Sequence, residues 1–299
     1  NEEHFGVLAI EPEESADKLM TIDGKTDDWD KRGLTPEDVG NGLSMAMTSD
    51  SSDLYMLFKK KDGDWNFDKD ILTLGFDTTP GGSSQAQIAP GLQFDGGLEF
   101  LARFEGGKGG RLYVNSAYDQ FTWLYGYKLK SVPYKKEYAD DKAGIFLPWK
   151  LALNRELYLP QTKVNAPFEA YDVGKLHWGT NDPGSGKFNN LSDWYLQGDT
   201  LEVRIPWMLL GFTDPSRLQV WKYPYKTEEV TPVDTQGVSV SAALSQSGAA
   251  PSDTVTPTAR SYTWDSWDLP PYHERKKKSF DILKDAFAEY IKPVKGSTR

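Results

Sequence analysis

The sequence predicts an all-β protein: an antiparallel β-sandwich, jelly-roll-like, with a long irregular insertion and a C-terminal amphipathic helix. Three observations carry this expectation. In LEVRIPWMLLGF, residues 201–212, Leu201, Val203 and Ile205 alternate with Glu202 and Arg204, the two-residue period of a half-buried strand. LEFLARF at 98–104 repeats the scheme, with Leu98, Phe100, Ala102 and Phe104 on one side and Glu99 and Arg103 on the other. Turn signals rich in Gly, Pro and Asp separate these runs from several further alternating segments.

Taken in order, residues 1–20 read as an N-terminal extension holding a short apolar run, Phe5 to Ile10, and an acidic link. Thr21 to Asp30 (TIDGKTDDWD) contains an Asp23-Gly24 turn signal and reads as an entry turn with Trp29 plugging the base of the sandwich. Met45 and Met47 alternate into a turn at Asp50 to Asp53, and Leu54 to Phe58 resumes the strand, a hairpin by spacing. Ile71 to Asp77 is the next strand, closed by Thr79-Pro80-Gly81-Gly82. Gly106 to Gly110 turns the chain from LEFLARF into Arg111 to Asn115. From about 134 to 194 the periodicity weakens. A structureless loop of that length is improbable in a compact domain, so short strands are expected inside it, at Ala143 to Leu147 and Leu157 to Leu159.

Pro206 cannot donate to a ladder and suits the first position of a helical turn, so the 201–205 strand should stop there and pass into one turn over Trp207 to Leu210. Leu218 to Tyr223 and Val238 to Leu244 follow as strands, and Ala249 to Thr258 as a Pro/Ser/Thr linker. After Pro270-Pro271, Tyr272 to Lys292 reads as helix. Phe280, Leu283, Phe287, Tyr290 and Ile291 form its apolar stripe, although Arg275 to Lys278 opposes the macrodipole at its start. The expected domains are therefore 1–20, a sandwich over 21–248 with its insertion at about 134–194, and a linker with a helix packed on the sandwich over 249–299.

Composition narrows the function. The 299 residues carry a net charge of -10 and no cysteine. The charge argues against nucleic acid or an anionic membrane as partner, and the missing thiols exclude disulfides, thiolate metal sites and a Cys nucleophile. No apolar run approaches the roughly 18 residues of a membrane span. Aromatic residues reach 13%, with ten Trp and fifteen Tyr, more rings than a modest core calls for. Rings are the usual stacking platform for flat ligands. The chain opens on Asn1 without a charged-then-apolar leader, which fits an exported chain that has lost its leader or a piece of a longer polypeptide.

The order TIDGKTDDW, DLYMLF, ILTLGFDTTPGG, LEFLARF and LEVRIPWMLLGF resembles that of family 9 carbohydrate-binding modules and the wider DOMON-like β-sandwich superfamily. The residues carrying the resemblance are Ile22-Asp23-Gly24…Asp28-Trp29, one residue tighter than the family pattern, and Ile205-Pro206-Trp207. It spans about 20–225. It implies a non-catalytic module that holds a sugar between aromatic rings and often binds structural calcium. The 134–194 insertion departs from the compact family pattern, so the family's sugar site does not transfer ring for ring.

The candidate saccharide-binding residues are rings in polar segments: Trp123 with Tyr118 in YDQFTW, Trp178 with His177 in HWGTND, Trp194 in DWY, and Trp65 as a fourth. Trp29, Trp207 and Trp221 sit at strand ends or turns with apolar neighbours and are assigned to structure. For a metal, Asp62, Asp64, Asp68 and Asp70, with Asn66 among them, place an oxygen donor at every second position, a density that calcium can use. The run lacks the glycine and closing glutamate of an EF-hand loop. His4, His177 and His273 are the only histidines, and none has a hydrolase or metalloprotease setting. Three readings follow. The first is a non-catalytic carbohydrate-binding module, extracellular or in the cell envelope, accessory to other domains of a longer chain and recognising an oligo- or polysaccharide. The second is a glycoside hydrolase or lyase with its groove built by the insertion. The third is a surface protein-interaction module using the C-terminal helix.

Overall fold

The computed structural model describes residues 8–12, 20–248, 254–267 and 272–290. The rest of the expected N-terminal extension, the first half of the 249–258 linker, Pro270-Pro271 and the helix beyond Tyr290 lie outside the described residues. The chain divides into two compact units, Met20–Ser266 and a second made from residues 1–19 and 267–299.

The larger unit is an antiparallel β-sandwich. One six-stranded sheet runs, edge to edge, through Phe146–Pro148, Gly109–Asn115, Phe100–Glu105, Asp70–Asp77, Val238–Gln246 and Ala259–Tyr262. The other runs through His177–Trp178, Ser192–Gln197, Thr200–Pro206, Asp53–Lys60, Leu43–Ser49 and Glu37–Gly40. Its one parallel pairing joins His177–Trp178 to Ser192–Gln197. The expected hairpin of Leu43–Ser49 and Asp53–Lys60 forms in antiparallel register, Met47 opposite Met56. Leu54, Met56, Phe58, Leu201, Val203 and Ile205 from one sheet share a single buried core with Leu72, Leu74, Phe76, Phe104, Leu112 and Val240 from the other. At about 25 cal/mol per Å² of apolar surface removed from water, this core is the main stabilising term.

Both sheets also bury part of their outer faces, which alternation alone does not predict. Tyr55 and Leu57 point away from the main core and pack with Met20, Ala46 and Trp29 of the short helix Asp27–Lys31. On the other sheet, Leu101 and Phe146 pack with Ala86, Ala89 and Phe94 from the 83–98 segment. The 98–104 run is therefore not one continuous strand. Leu98 ends the strand Gln93–Leu98, paired with Ser83–Gln85, and a new strand begins at Phe100.

The motifs at the two ends of the sandwich meet at Glu202, which is 3% exposed. This residue was expected on a solvated face; the Asp27–Lys31 helix covers it instead. Trp29 Nε1 donates to Glu202 Oε1 at 2.7 Å, while Asp23 N (2.8 Å) and Gly24 N (2.7 Å) donate to Oε2. Gly24 has φ +77°, and a Cβ there would lie 2.6 Å from Gln197 Cβ, so only glycine fits the turn. At the other end of the strand, Pro206 leads into a 3-10 turn over Trp207–Leu210 as expected, and Trp207 Nε1 donates to Asp50 O at 3.0 Å.

The insertion holds the short strands that its length required. Phe146–Pro148 and Leu157–Leu159 both form, the first shorter and later than the expected 143–147. It also holds a ribbon of two short strand pairs: Lys150–Asn154 with Glu169–Asp172, and Leu157–Leu159 with Val164–Ala166. Ala259–Tyr262, assigned to the linker-and-helix segment, is an edge strand paired with Val238–Ser241, placing the end of the sandwich after 262 instead of at 248.

In the smaller unit Tyr272–Lys276 is a strand paired with Leu8–Pro12, and among the described residues the helix spans Lys278–Tyr290. Positive side chains at a helix N-terminus oppose its dipole, so the basic run suits the strand that precedes the helix. The expected apolar stripe exists but buries no residue: Phe287 is 62% exposed. No described helix is long and apolar enough to cross a membrane.

Candidate functional site

The sandwich carries a narrow cleft with a cavity volume of about 10 Å³, lined from five parts of the chain. Thr78 and Thr79 follow the Asp70–Asp77 strand. Glu99 and Phe100 lie at the break in the 98–104 run. Tyr118 and Gln120 come from the turn after Gly109–Asn115. Trp149 opens the ribbon of the insertion. Gly211, Val220 and Trp221 come from the 3-10 turn and the small sheet formed by Phe212–Asp214, Gln219–Trp221 and Pro232–Asp234.

Glu99 is the chemically unusual group. It is 1% exposed, and its Oε2 accepts from Thr78 N at 2.7 Å and Thr79 N at 3.3 Å, with the Thr78 hydroxyl at 3.4 Å. Its Oε1 is buried and has no hydrogen-bond partner. Burial holds the carboxyl well above the ordinary carboxylate range, and the charge of Asp77 adds to this against the pull of the threonine donors. A proton belongs on the oxygen that receives no N–H, so the acid form presents Oε1 as a hydrogen-bond donor with nothing to meet it. Leaving such a group unmet costs about 1–3 kcal/mol. The Tyr118 hydroxyl accepts from Gly82 N at 2.8 Å, and burial raises its pKa too.

The indoles complete the cleft. Trp149 is half-buried and stacks on Phe100 with centroids 4.9 Å apart and planes 17° apart. Trp221, 36% exposed, is the most open of the ten tryptophans. Gly211, at φ +76°, lets the chain pass close to Phe100, whose Cζ would lie 2.9 Å from an added Cβ. The arrangement offers flat apolar faces beside an amide, hydroxyls and an acid that can donate. Among the described residues, Glu99 is the carboxyl that lines the cleft.

Compared with protein-family models, curated proteins and solved structures, the chain matches none.

Most of the rings expected to form a saccharide platform lie elsewhere, and most are sealed. Trp194 is fully buried, edge-on to Phe67 (5.4 Å) and Phe104 (5.5 Å). Trp65 is buried against Phe67, and its Nε1 donates to Asp199 O. Trp123 is buried within a π-helix, Thr122–Lys128. Trp178 is half-buried in an edge strand, with Lys108 Nζ 3.8 Å above its ring. His177 hydrogen-bonds Asp193 Oδ2 through both Nδ1 (3.0 Å) and its backbone N (2.6 Å). Trp123, Trp178 and Trp194 occupy a helix and strands, and Trp65 lies in the loop between Asp53–Lys60 and Asp70–Asp77. Tyr118, although buried, does line the cleft.

Trp221 moves from the structural set to the site. Glu99, Trp149 and Gln120 were not singled out: Glu99 looked like an ordinary solvent-facing residue. Its available signal was position, an acid whose strand face is covered by the 83–98 segment.

The carboxylates expected to hold calcium are not drawn together around one point. Asp70 is buried, with Lys60 Nζ (2.8 Å) and Asn66 N (2.9 Å) on Oδ2 and Gln246 Nε2 (2.8 Å) on Oδ1. Asp62, Asp64 and Asp68 are exposed. Among the described residues no group of three or more His, Asp or Glu side chains could hold an ion.

Proposed function

We propose that the protein is a non-catalytic carbohydrate-binding module, exported and accessory to a larger polypeptide, and that its site is the cleft between Trp149 and Trp221 over Glu99. The observation carrying this reading is a cleft that sets two indoles beside Glu99, whose buried Oε1 has no hydrogen-bond partner. A pyranose ring has a C–H face suited to an indole and hydroxyls at its edge suited to a carboxylic acid, an amide and a threonine. Small-molecule sites combine apolar walls with a few placed polar groups in this way. The resemblance to family 9 carbohydrate-binding modules points to the same chemistry. The cleft itself, at about 10 Å³, admits no more than a water-sized group, so a sugar ring would lie across its mouth against the indoles.

A glycan array probed with wild type, Trp221→Ala and Trp149→Ala tests the reading. Wild type is expected to bind a defined set of oligosaccharides, and both variants to lose most of that binding while keeping the wild-type circular dichroism spectrum. Binding unaffected by either substitution, or release of reducing ends from the bound glycan, would contradict it.

A further inference from the structure

The 83–98 segment, which covers the outer face of one sheet, also walls a pocket that shares no lining residue with the cleft. Its cavity volume is about 280 Å³, close to the roughly 300 Å³ at which small-molecule sites begin. Three pieces of chain build it: residues 85–93, residues 142–144, and Thr254. Backbone hydrogen bonds tie these pieces together. Gln87 N donates to Gly144 O, Gln93 N to Val255 O, and Val255 N to Gly91 O, each at 2.9 Å. Gly144 is buried at φ +66°, and an added Cβ would lie 2.9 Å from Gln85 O, so the wall closes only over a glycine. The backbone therefore sets the walls without help from a ligand.

Three glutamines supply most of the polar lining. Gln85 and Gln93 face each other across a short strand pair, and Gln85 Nε2 donates to Gln93 Oε1 at 2.6 Å. Gln87 Nε2 donates to Ala143 O at 3.1 Å. These bonds leave Gln85 Oε1 and Gln87 Oε1 as acceptors, and Gln93 Nε2 as a donor, without a partner among the described residues. Ala86, Ala89 and Leu92 add apolar surface between them.

Lys142 is the charged residue of the lining. Its Nζ donates to Gly81 O at 3.0 Å and to Gly82 O, its charge acts on Asp77, and Asp140 and Asp141 precede it. The cation is thus occupied and balanced. Among the described residues neither a carboxylate nor an aromatic ring lines the pocket. What fits is a compact, uncharged molecule held by hydrogen bonds of both senses.

We propose that this pocket is a second binding site, separate from the cleft, for a neutral polyhydroxylated ring the size of one sugar residue. A hydroxyl both donates and accepts, so it can meet the free glutamine oxygens and Gln93 Nε2 alike, while C–H groups meet the alanines and Leu92. A carboxylate or phosphate would give up its water and find no free cation. The proposal stands on the pocket's own groups and does not depend on sugars binding at the indoles.

Side-chain amide and indole N–H signals of the ¹⁵N-labelled protein test it, followed during titration with glucose, galactose, N-acetylglucosamine, glucuronate and adenosine. Wild type is set beside Gln87→Ala, Gln93→Ala and Trp221→Ala. At least one neutral sugar should shift the Gln85, Gln87 and Gln93 amide signals together and saturably, with a Kd on the order of 1 mM. Each glutamine substitution should weaken that binding about tenfold and keep the wild-type circular dichroism spectrum, whereas Trp221→Ala should leave it unchanged.

Glutamine amide signals that no neutral sugar moves, tighter binding of glucuronate or adenosine, wild-type affinity in either glutamine variant, or affinity lost in Trp221→Ala would overturn the proposal. Glutamine amides that saturate while every indole stays in place would support this site and count against the cleft. Indole shifts without glutamine shifts would count against this site alone.

Discussion

Glu99 and Glu202 sit in matching places, each following a leucine in a strand and each on a face where alternation puts solvent. Both are buried, at 1% and 3% exposure, yet they are met differently. Three N–H groups satisfy both oxygens of Glu202, whereas Glu99 keeps one oxygen free. Burial pushes Glu202 up to about 7, against the pull of its Trp29, Gly24 and Asp23 donors. For an acid raised in the folded state, the contribution to stability is full below the unfolded value and is lost as pH rises through the folded one. Glu202 should therefore cost the fold about 2–3 kcal/mol as pH rises from about 4.5 to about 7.

Urea unfolding of wild type and Glu202→Gln at pH 5 and pH 8 checks this. The variant should lose less stability over that interval, and equal losses would contradict the account. Glu99→Gln should likewise stabilise the protein at pH 8 relative to pH 5, because an amide cannot ionise there. A second prediction concerns Gly24. Gly24→Ala should cost about 2–3 kcal/mol, since a left-handed backbone and a 2.6 Å approach to Gln197 add together. Gly33→Ala, at φ +68° with nothing within 4 Å, should cost about 1 kcal/mol. Similar losses in the two variants would remove the steric part of the argument.

At the scale of elements, the strands that line the main core were legible because one of their faces is apolar throughout. Leu43–Ser49, Asp53–Lys60, Asp70–Asp77, Thr200–Pro206 and the turn after Pro206 all follow from period and proline placement. What alternation could not reveal is a second burial layer. Trp29 and the 83–98 segment cover outer faces, and this hides Glu202 and Glu99 from any argument that equates polar with exposed. The tryptophans failed in the opposite direction. Trp194 has Asp193 beside it, but in a strand that neighbour belongs to the other face, so polar context along the chain said nothing about exposure.

The ribbon of the insertion was legible only at Leu157–Leu159, because its apolar residues are exposed on both faces; Leu153 is 66% exposed. A two-stranded ribbon without a packed face is marginal in water. Hydrogen exchange should therefore show amides of 157–166 exchanging far faster than those of 54–58 and 201–205, which should open only with global unfolding. Equal protection would mean that the ribbon is held by contacts the fold does not display.

In the sandwich, Glu202 ties the Asp27–Lys31 helix and the Asp23-Gly24 turn onto the outer face of one sheet, and a cleft opens where strand ends, the small sheet and the insertion converge. The fold class was legible in the sequence; the cleft was not, because its residues lie up to 143 positions apart (78 to 221) and only the topology unites them. On the proposed function, sugars bind over the mouth of this cleft. Indole N–H signals of ¹⁵N-labelled protein, followed during titration with an oligosaccharide chosen from the array, test it most directly. The signals of Trp149 and Trp221 should shift together and saturate while those of Trp29, Trp194 and Trp207 stay in place. Saturating shifts confined to Trp178, or to no indole at all, would contradict it.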